Sequence, residues 1–121
     1  MSKINDVKVS KNFNLYEFEC NDGTHLVKVD PELVERLQKL RDKTGRPIII
    51  TSGYRTESYN KKVGGASGSQ HLLGKAADIK IYGLSPERVA DLAEEVGFRG
   101  IGVYNTFTHV DVRPNKVRFK G

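Results

Sequence analysis

The sequence contains a single cysteine, Cys20, and no tryptophan among its 121 residues. One cysteine excludes a disulfide within the chain and any zinc site built from several cysteines. We interpret Cys20 as a buried structural thiol, because an unpaired cysteine packs like a small apolar residue.

Long apolar runs and a leader-like N-terminus are also missing. No stretch approaches the ~18 consecutive apolar residues that a membrane-spanning helix needs. The first six residues lack the apolar core of a secretory signal peptide. We therefore expect no membrane span. We also expect the protein either to stay in the cytosol or to depend on a signal, partner or host chain outside this sequence.

Positive charge is only mildly in excess: 20 lysines and arginines stand against 15 acidic residues, which gives a formal net charge of +5. The basic residues are interspersed and form no tract. We interpret them as a solvated surface, with mild attraction to an anionic wall or other polyanion as the alternative. We expect no nucleic-acid partner, because proteins that bind nucleic acids concentrate their basic residues in a patch or stripe.

Length and composition fit one folded domain. Domains cluster near ~100–150 residues, and no repeat or linker divides this sequence. The 37% hydrophobic and 29% charged residues are typical of a globular chain. We predict a single domain over residues 1–121, with residues 1–12 as an N-terminal arm, and we expect a monomer.

Two segments carry both start and stop signals for a helix. Asp30 and Ser85 are each followed by Pro-Glu, which combines an N-cap side chain, a first-turn proline and an acid facing the helix dipole. Gly45 and Gly97 stand where these helices should end. The signals predict helices over residues 31–44 and 86–96, and weaker signals predict short helices over 14–19 and 57–63.

Segments rich in β-branched and apolar residues predict the strands. The predicted strands cover residues 48–51, 76–81, 100–104, 108–112 and 117–119. Residues 64–68 are rich in glycine and should form a loop. Because helices come early and strands cluster late, the order favours an α+β fold with an antiparallel sheet.

Two of the three histidines suggest a metal site. His71 follows the glycine-rich loop, Asp78 lies seven positions later on a predicted strand, and His109 lies on a later strand. Two imidazoles and a carboxylate are a normal ligand set for a catalytic zinc, which keeps a fourth position open for water. The spacing alone also fits a packed histidine and an aspartate that caps a turn.

Three separated motifs resemble a known family. Residues 51–56 read Thr-Ser-Gly-Tyr-Arg-Thr, residues 69–78 read Ser-Gln-His-Leu-Leu-Gly-Lys-Ala-Ala-Asp, and residues 109–113 read His-Val-Asp-Val-Arg. Together they resemble the signatures of the zinc D-Ala-D-Ala carboxypeptidase family. Its relatives include vancomycin-resistance D-Ala-D-Ala dipeptidases and phage L-Ala–D-Glu endolysins, and more distantly lysostaphin-type endopeptidases and the hedgehog domain. The likeness runs from about Phe13 to Gly121.

The resemblance implies both a fold and an activity. The implied fold is α+β, with a central antiparallel sheet that carries a zinc site on one face and helices packed on the other. The implied activity is hydrolysis of peptidoglycan peptide bonds by metal-activated water, with one Zn2+ per chain. The enzyme would act at the bacterial cell wall, either phage-encoded and released from the cytoplasm or exported by other means. A zinc-stabilised module that binds cell wall or protein without hydrolysis is the alternative.

The resemblance also implies roles for particular residues. His71, Asp78 and His109 match the zinc ligands. Arg55 matches the arginine that binds substrate and stabilises the charge that develops on the scissile carbonyl, and Ser69 matches a serine that binds the substrate backbone. The residues themselves leave alternatives open, since Arg55 could form a surface ion pair and Ser69 could cap a loop.

The usual general base is absent from its place in the motif. Family members often carry Glu, Asp or His two or three residues before the last ligand, where this chain has Phe107 and Thr106. Asp111 lies two residues after His109, so on a strand both side chains face the same side. We predict Asp111 as the base, with orientation of an imidazole as the alternative.

Overall fold

The computed structural model describes residues 4–121, and in this range the chain forms three α-helices and seven strands. The helices are α1 (Pro31–Thr44), α2 (Glu57–Lys62) and α3 (Pro86–Glu95), and short 3₁₀ segments cover Leu15–Phe18 and Gln70–Leu73. The strands are β1 (Lys8–Ser10), β2 (Phe13–Asn14), β3 (Ile48–Ser52), β4 (Ala76–Ile81), β5 (Gly100–Val103), β6 (Thr108–Asp111) and β7 (Val117–Lys120). The α+β prediction is confirmed.

The helix signals act as the sequence predicts. The Asp30 side chain accepts the backbone N–H of Glu32 at 2.8 Å, and Gly45 ends α1 in the left-handed conformation at φ 65°. The Ser85 hydroxyl likewise accepts from the backbone N–H of Arg88. Among residues 4–121, no helix is both long and apolar enough to cross a membrane.

The main sheet has the strand order β3-β4-β6-β5-β7. The first three pairs in this order are antiparallel, but β5 and β7 are parallel. The predicted antiparallel sheet is therefore found in three of the four strand pairs, and the pairing of β5 with β7 departs from it. Strands β4 and β5 already flank β6, so the chain that follows β6 pairs with the free edge of β5 as strand β7. Strand β7 is antiparallel in direction to β6 and therefore parallel to β5.

A small second sheet lies at the start of the described chain. Strands β1 and β2 pair antiparallel, with Lys8 opposite Asn14. Strand β1 falls within the segment predicted as an N-terminal arm, of which residues 1–3 lie outside the described residues. The predicted helix after Asn14 is a 3₁₀ segment, in which the Glu17 carboxylate accepts the Asn14 N–H at 2.7 Å.

The hydrophobic core lies between one face of the main sheet and two helices. Leu37 and Leu40 of α1 and Val89 of α3 pack in one buried cluster with Ile79 of β4 and Val110 of β6. Side chains alternate along a strand, so the neighbours of these apolar residues face the opposite side of the sheet. Cys20 is 3% exposed, as predicted for a structural thiol.

We expect Gly53→Ala to lower the free energy of unfolding by about 1–3 kcal/mol, the usual cost of overpacking. An added Cβ would lie 2.7 Å from the carbonyl oxygen and 2.8 Å from the Cα of Phe18, and backbone atoms cannot move aside as a side chain can. The measurement is urea unfolding followed by circular dichroism.

Gly68→Ala is the matched control, because nothing lies within 4 Å of the added Cβ. Its effect should be near zero or slightly stabilising, since alanine narrows the unfolded ensemble. Equal effects of the two substitutions would contradict the close approach at Gly53.

Candidate metal centre

Three side chains from separate elements converge on one point. His71 lies in the 3₁₀ segment Gln70–Leu73, while Asp78 of β4 and His109 of β6 are direct cross-strand neighbours. Oδ1 of Asp78 lies 3.2 Å from Nε2 of His71 and 3.0 Å from Nδ1 of His109. One ligand atom from each residue lies within 4.8 Å of the others. The structure thus brings together the three residues that the sequence singles out.

Local signals hold His71 in this position. The Ser69 hydroxyl accepts the backbone N–H of His71 at 3.2 Å and so begins the 3₁₀ segment. Gly74 ends it at φ 70°, a conformation that favours glycine. A Cβ at Gly74 would also lie 2.5 Å from the carbonyl oxygen of Lys28. The chain therefore turns sharply after His71 and enters β4.

Each histidine uses its outer ring nitrogen to hold its orientation. Nδ1 of His71 lies 2.7 Å from the carbonyl oxygen of Gly53, which can only accept, so this nitrogen donates. Nε2 of His109 lies 2.7 Å from Oδ2 of Asp111. Metal-binding histidines have such partners, which leave the other nitrogen's lone pair toward the metal. The donor set and its orientation therefore fit a divalent metal ion.

Asp111 lies behind His109 and is fully buried at 0% exposure. Besides His109, its carboxylate accepts three hydrogen bonds from the Arg113 side chain and one from the Arg113 backbone. Gly100 stands opposite Asp111 on β5, and a Cβ there would overlap the carboxylate. The predicted shared face of Asp111 and His109 is observed, but the carboxylate contacts the ring nitrogen that points away from Asp78.

Arg55 is held at the centre by three acceptors. Its guanidinium lies 3.4 Å from Oδ2 of Asp78 and 3.2 Å from both the Ser52 hydroxyl and the Asn60 amide oxygen. The Arg55 side chain is 15% exposed. This contact differs from the exposed ion pair that the sequence left open.

Several residues of the site are missed by sequence reasoning. Asn60 is 3% exposed and connects Arg55 to the loop through a 2.9 Å bond to the carbonyl oxygen of Ala66. No feature of its surroundings in the sequence marks it. Gly53 and Arg113 could have been found, because each lies inside a motif beside a residue of interest.

The charges of the metal-free cluster stabilise one another. Burial alone would raise the pKa of Asp78, but its hydrogen bonds with His109 and His71 hold that pKa well below its usual range. Burial alone would lower the pKa of His109, but Asp111 and Asp78 together raise it. The pKa of Asp111 is held low by His109 and Arg113 against the effect of burial. The metal-free centre therefore favours the ionised carboxylates of Asp78 and Asp111 and the protonated imidazole of His109.

An open cleft of about 480 Å³ leads to these side chains. Arg55, Ser69 and the glycine-rich loop line the part near Asp78 and His71, and Tyr104, Phe107 and Phe119 line the part near His109. Ser69 thus both lines the cleft and caps a turn. The cleft gives a substrate access to an otherwise buried cluster.

A buried cluster of two histidines and one aspartate, reached through a cleft beside an arginine, is typical of metal-dependent hydrolases. The model of the family described as peptidase M15 matches residues 11–111. The chain therefore belongs to the peptidase M15 family, and the resemblance seen in the motifs is confirmed.

The chain is also similar to individual proteins, which support this family assignment. The chain is 34% identical over 97 residues to the probable peptidoglycan L,D-endopeptidase MepK of Haemophilus influenzae, covering 72% of this chain and 52% of that protein. It is 30% identical over 95 residues to the peptidoglycan L,D-endopeptidase MepK of Escherichia coli, covering 71% and 52%. It is 36% identical over 81 residues to the zinc D-Ala-D-Ala carboxypeptidase of Streptomyces albus G, covering 62% and 32%. The chain spans about half the length of the two MepK relatives.

We expect the stability of the metal-free protein to fall on both sides of a maximum in mildly acidic solution. The raised pKa of His109 contributes stability that is complete below its ordinary 6.5 and is lost as pH rises through the folded value. The lowered pKa values of Asp78 and Asp111 contribute stability that is present above their ordinary 3.8 and is lost on acidification. Urea unfolding with a chelator, from acid to alkaline pH, measures both limbs.

His109→Gln is the variant that isolates the alkaline limb, because glutamine does not titrate. Its stability should no longer decline as pH rises above neutrality, while the loss in acid should persist through Asp78. An equal alkaline decline in the variant would contradict the assignment to His109.

Proposed function

We propose that the chain is a zinc-dependent peptidase that hydrolyses peptide bonds of peptidoglycan, as a carboxypeptidase or an endopeptidase. The observation that carries this proposal is the convergence of His71, Asp78 and His109 at the base of an open cleft. Its relatives, a probable and an assigned peptidoglycan L,D-endopeptidase and a zinc D-Ala-D-Ala carboxypeptidase, support the substrate and the metal. Its place of action would be the bacterial cell wall.

His71, Asp78 and His109 would hold one zinc ion, on the sheet face opposite the one that α1 and α3 cover. When bound, the ion supplies Lewis acidity, which polarises the carbonyl under attack and makes water more acidic. The low pKa of Asp78 supports this role, because the residue stays a carboxylate at neutral pH and so remains a ligand.

Arg55 would bind the substrate and stabilise the negative charge that develops on the scissile carbonyl oxygen. Its guanidinium is fixed before substrate arrives, because Ser52 and Asn60 hold two of its nitrogens. A charged donor that needs no rearrangement is worth most in a site that excludes water. The contact with Asp78 places this charge beside the proposed metal.

Ser69 would bind the substrate backbone while it caps the 3₁₀ segment. Its hydroxyl oxygen accepts from the His71 N–H, which uses only one of two lone pairs and leaves the hydroxyl hydrogen free to donate. The residue also lines the cleft. The two roles left open by the sequence are therefore compatible.

Asp111 would act as a positioning residue that orients His109. Both of its oxygens are engaged, by His109 and by Arg113, and the side chain is fully buried. A general base needs an oxygen within reach of the attacking water, and the imidazole of His109 stands between Asp111 and the cluster. These contacts favour the orienting role over the base that we predicted.

A zinc-stabilised binding module is the second candidate. Phe107 and Thr106 occupy the positions where relatives of this kind carry a base, and neither side chain can accept a proton from water. Such a module would use the same cleft to hold a cell-wall peptide without cutting it.

The decisive test of the enzyme is mass spectrometry of muropeptides incubated with zinc-loaded protein. We expect new fragments that disappear on chelation and in His71→Ala, and their masses identify the bond that is cut. His25→Ala is the matched control, since this histidine is exposed and lies outside the cluster. Intact muropeptides in the presence of one bound zinc per chain would overturn the enzyme in favour of the binding module.

Asp111→Asn separates the two roles of Asp111. Loss of the partner that orients His109 should weaken zinc binding by about 10–100-fold, as for other partners of metal ligands. Calorimetric zinc titration measures this effect, with Asp91→Asn as the control, a partly exposed carboxylate that pairs with Arg118. Unchanged zinc affinity together with lost muropeptide cleavage would instead make Asp111 the base.

A further inference from the structure

The face of the sheet that carries the cluster is built as a row of cross-strand neighbours. Ser52, Asp78, His109, Gly102 and Phe119 follow one another from β3 to β7. Residues opposite each other in neighbouring strands share a face, so Phe119 lies on the side of the metal centre. The last strand therefore contributes to the cleft, although it lies beyond the matched residues 11–111.

Gly102 makes room for an aromatic side chain at this point. A Cβ at Gly102 would lie 2.5 Å from Cε2 of Phe119 and 3.2 Å from Cε1 of Tyr104. The Phe119 ring therefore lies across the backbone of β5, in the space between Gly102 and the cleft. Any larger residue at position 102 would displace it.

Three rings form a continuous surface that we call the aromatic wall, consisting of Tyr104, Phe107 and Phe119. Tyr104 stacks on Phe107 with centroids 4.4 Å apart, and Phe119 meets Tyr104 edge-on at 6.3 Å. All three line the cleft. Each ring therefore packs against a neighbour, and Phe119 brings the wall into contact with His109 of the cluster.

The part of the cleft nearer Asp78 and His71 is polar. Arg55, Ser69 and Gln70 line it with the glycine-rich loop. A peptide bound across the centre would satisfy its backbone groups on this side. Its side chain would then face the aromatic wall, which offers no charge and favours apolar groups.

We propose that Phe119 is a specificity-determining residue, at which the aromatic wall receives the uncharged side chain of a substrate residue next to the scissile bond and limits its size. This inference rests on the proposed peptidase function, because it requires a peptide in the cleft. The Phe119 ring is the member of the wall nearest the cluster by contact, with its centroid 5.9 Å from that of His109.

The same contact does not make Phe119 necessary for orienting His109. Hydrogen bonds of 3.0 Å to Asp78 and 2.7 Å to Asp111 already fix both ring nitrogens of His109. Directional hydrogen bonds to carboxylates constrain a ring more strongly than a tilted aromatic contact does. Removal of the Phe119 ring should therefore change the space in the cleft and leave the metal ligands in place.

The test uses acetylated dipeptides, both as free acids and as amides, with Ala, Leu or Phe at each position flanking the scissile bond, in both D and L forms. Binding to the metal-free protein is followed by NMR titration, and kcat/KM is measured with the zinc-loaded protein. We expect wild type to prefer alanine at one position, and Phe119→Ala to reduce its Ala-to-Phe ratio there by about tenfold. A pocket commonly discriminates by this amount for a change in apolar volume.

Two variants serve as controls. Phe119→Leu keeps an apolar side chain and should give an intermediate ratio. Val117→Ala lies on the same strand and face, in the next row opposite Gly100, and should leave the ratio unchanged. Phe119 is only partly buried, so its substitution should not prevent folding.

The outcomes separate this inference from the proposed function. Cleavage with the same side-chain preference in wild type and Phe119→Ala would overturn the inference and leave the peptidase standing. A lower Ala-to-Phe binding ratio in Phe119→Ala, with no cleavage by either protein, would support the role of the aromatic wall and count against the proposed peptidase. Weaker zinc binding with an unchanged preference, or no measurable binding of any peptide to wild type, would also overturn the inference.

Discussion

The structure depends on one buried carboxylate that is shared by two imidazoles. Oδ1 of Asp78 faces ring nitrogens of both His71 and His109, at 3.2 and 3.0 Å. A buried charge is costly unless it is paired, so the fold must supply these partners with correct geometry. The register of β4 on β6 does so for His109, and a shift by one residue would place Ile79 there instead. The packed core on the other face of the sheet holds that register.

From this centre the hydrogen bonds continue outward in an ordered way. One ring nitrogen of each histidine faces the cluster. The other forms a hydrogen bond outside it, with the Gly53 carbonyl for His71 and with Asp111 for His109. Arg113 in turn neutralises Asp111. Glycine is needed where these groups meet the sheet, as at Gly100, because a side chain would occupy the same space. The centre is therefore oriented before a metal or substrate binds.

Local signals in the sequence predicted many of the helices and strands and several residues of the site. The cap at Asp30 and the stop at Gly45 predicted the bounds of α1, and the predicted strand over residues 76–81 matches β4 at both ends. The motifs identified the three clustered residues and Arg55. The parallel pairing of β7, the β1–β2 hairpin and the role of Asn60 were not predictable, because each depends on contacts with distant parts of the chain. The spacing of Asp111 gave its face, but its orientation behind His109 depends on Arg113 and the room at Gly100.

The central claim is that the shared carboxylate is the core of a zinc site. A crystal structure of the zinc-loaded protein, with anomalous data collected at the zinc edge, tests it most directly. The account predicts one strong anomalous peak bonded to His71, Asp78 and His109, with Asp111 still in contact with the outer nitrogen of His109. A peak elsewhere, or an unaltered cluster with no zinc between its side chains, would contradict it.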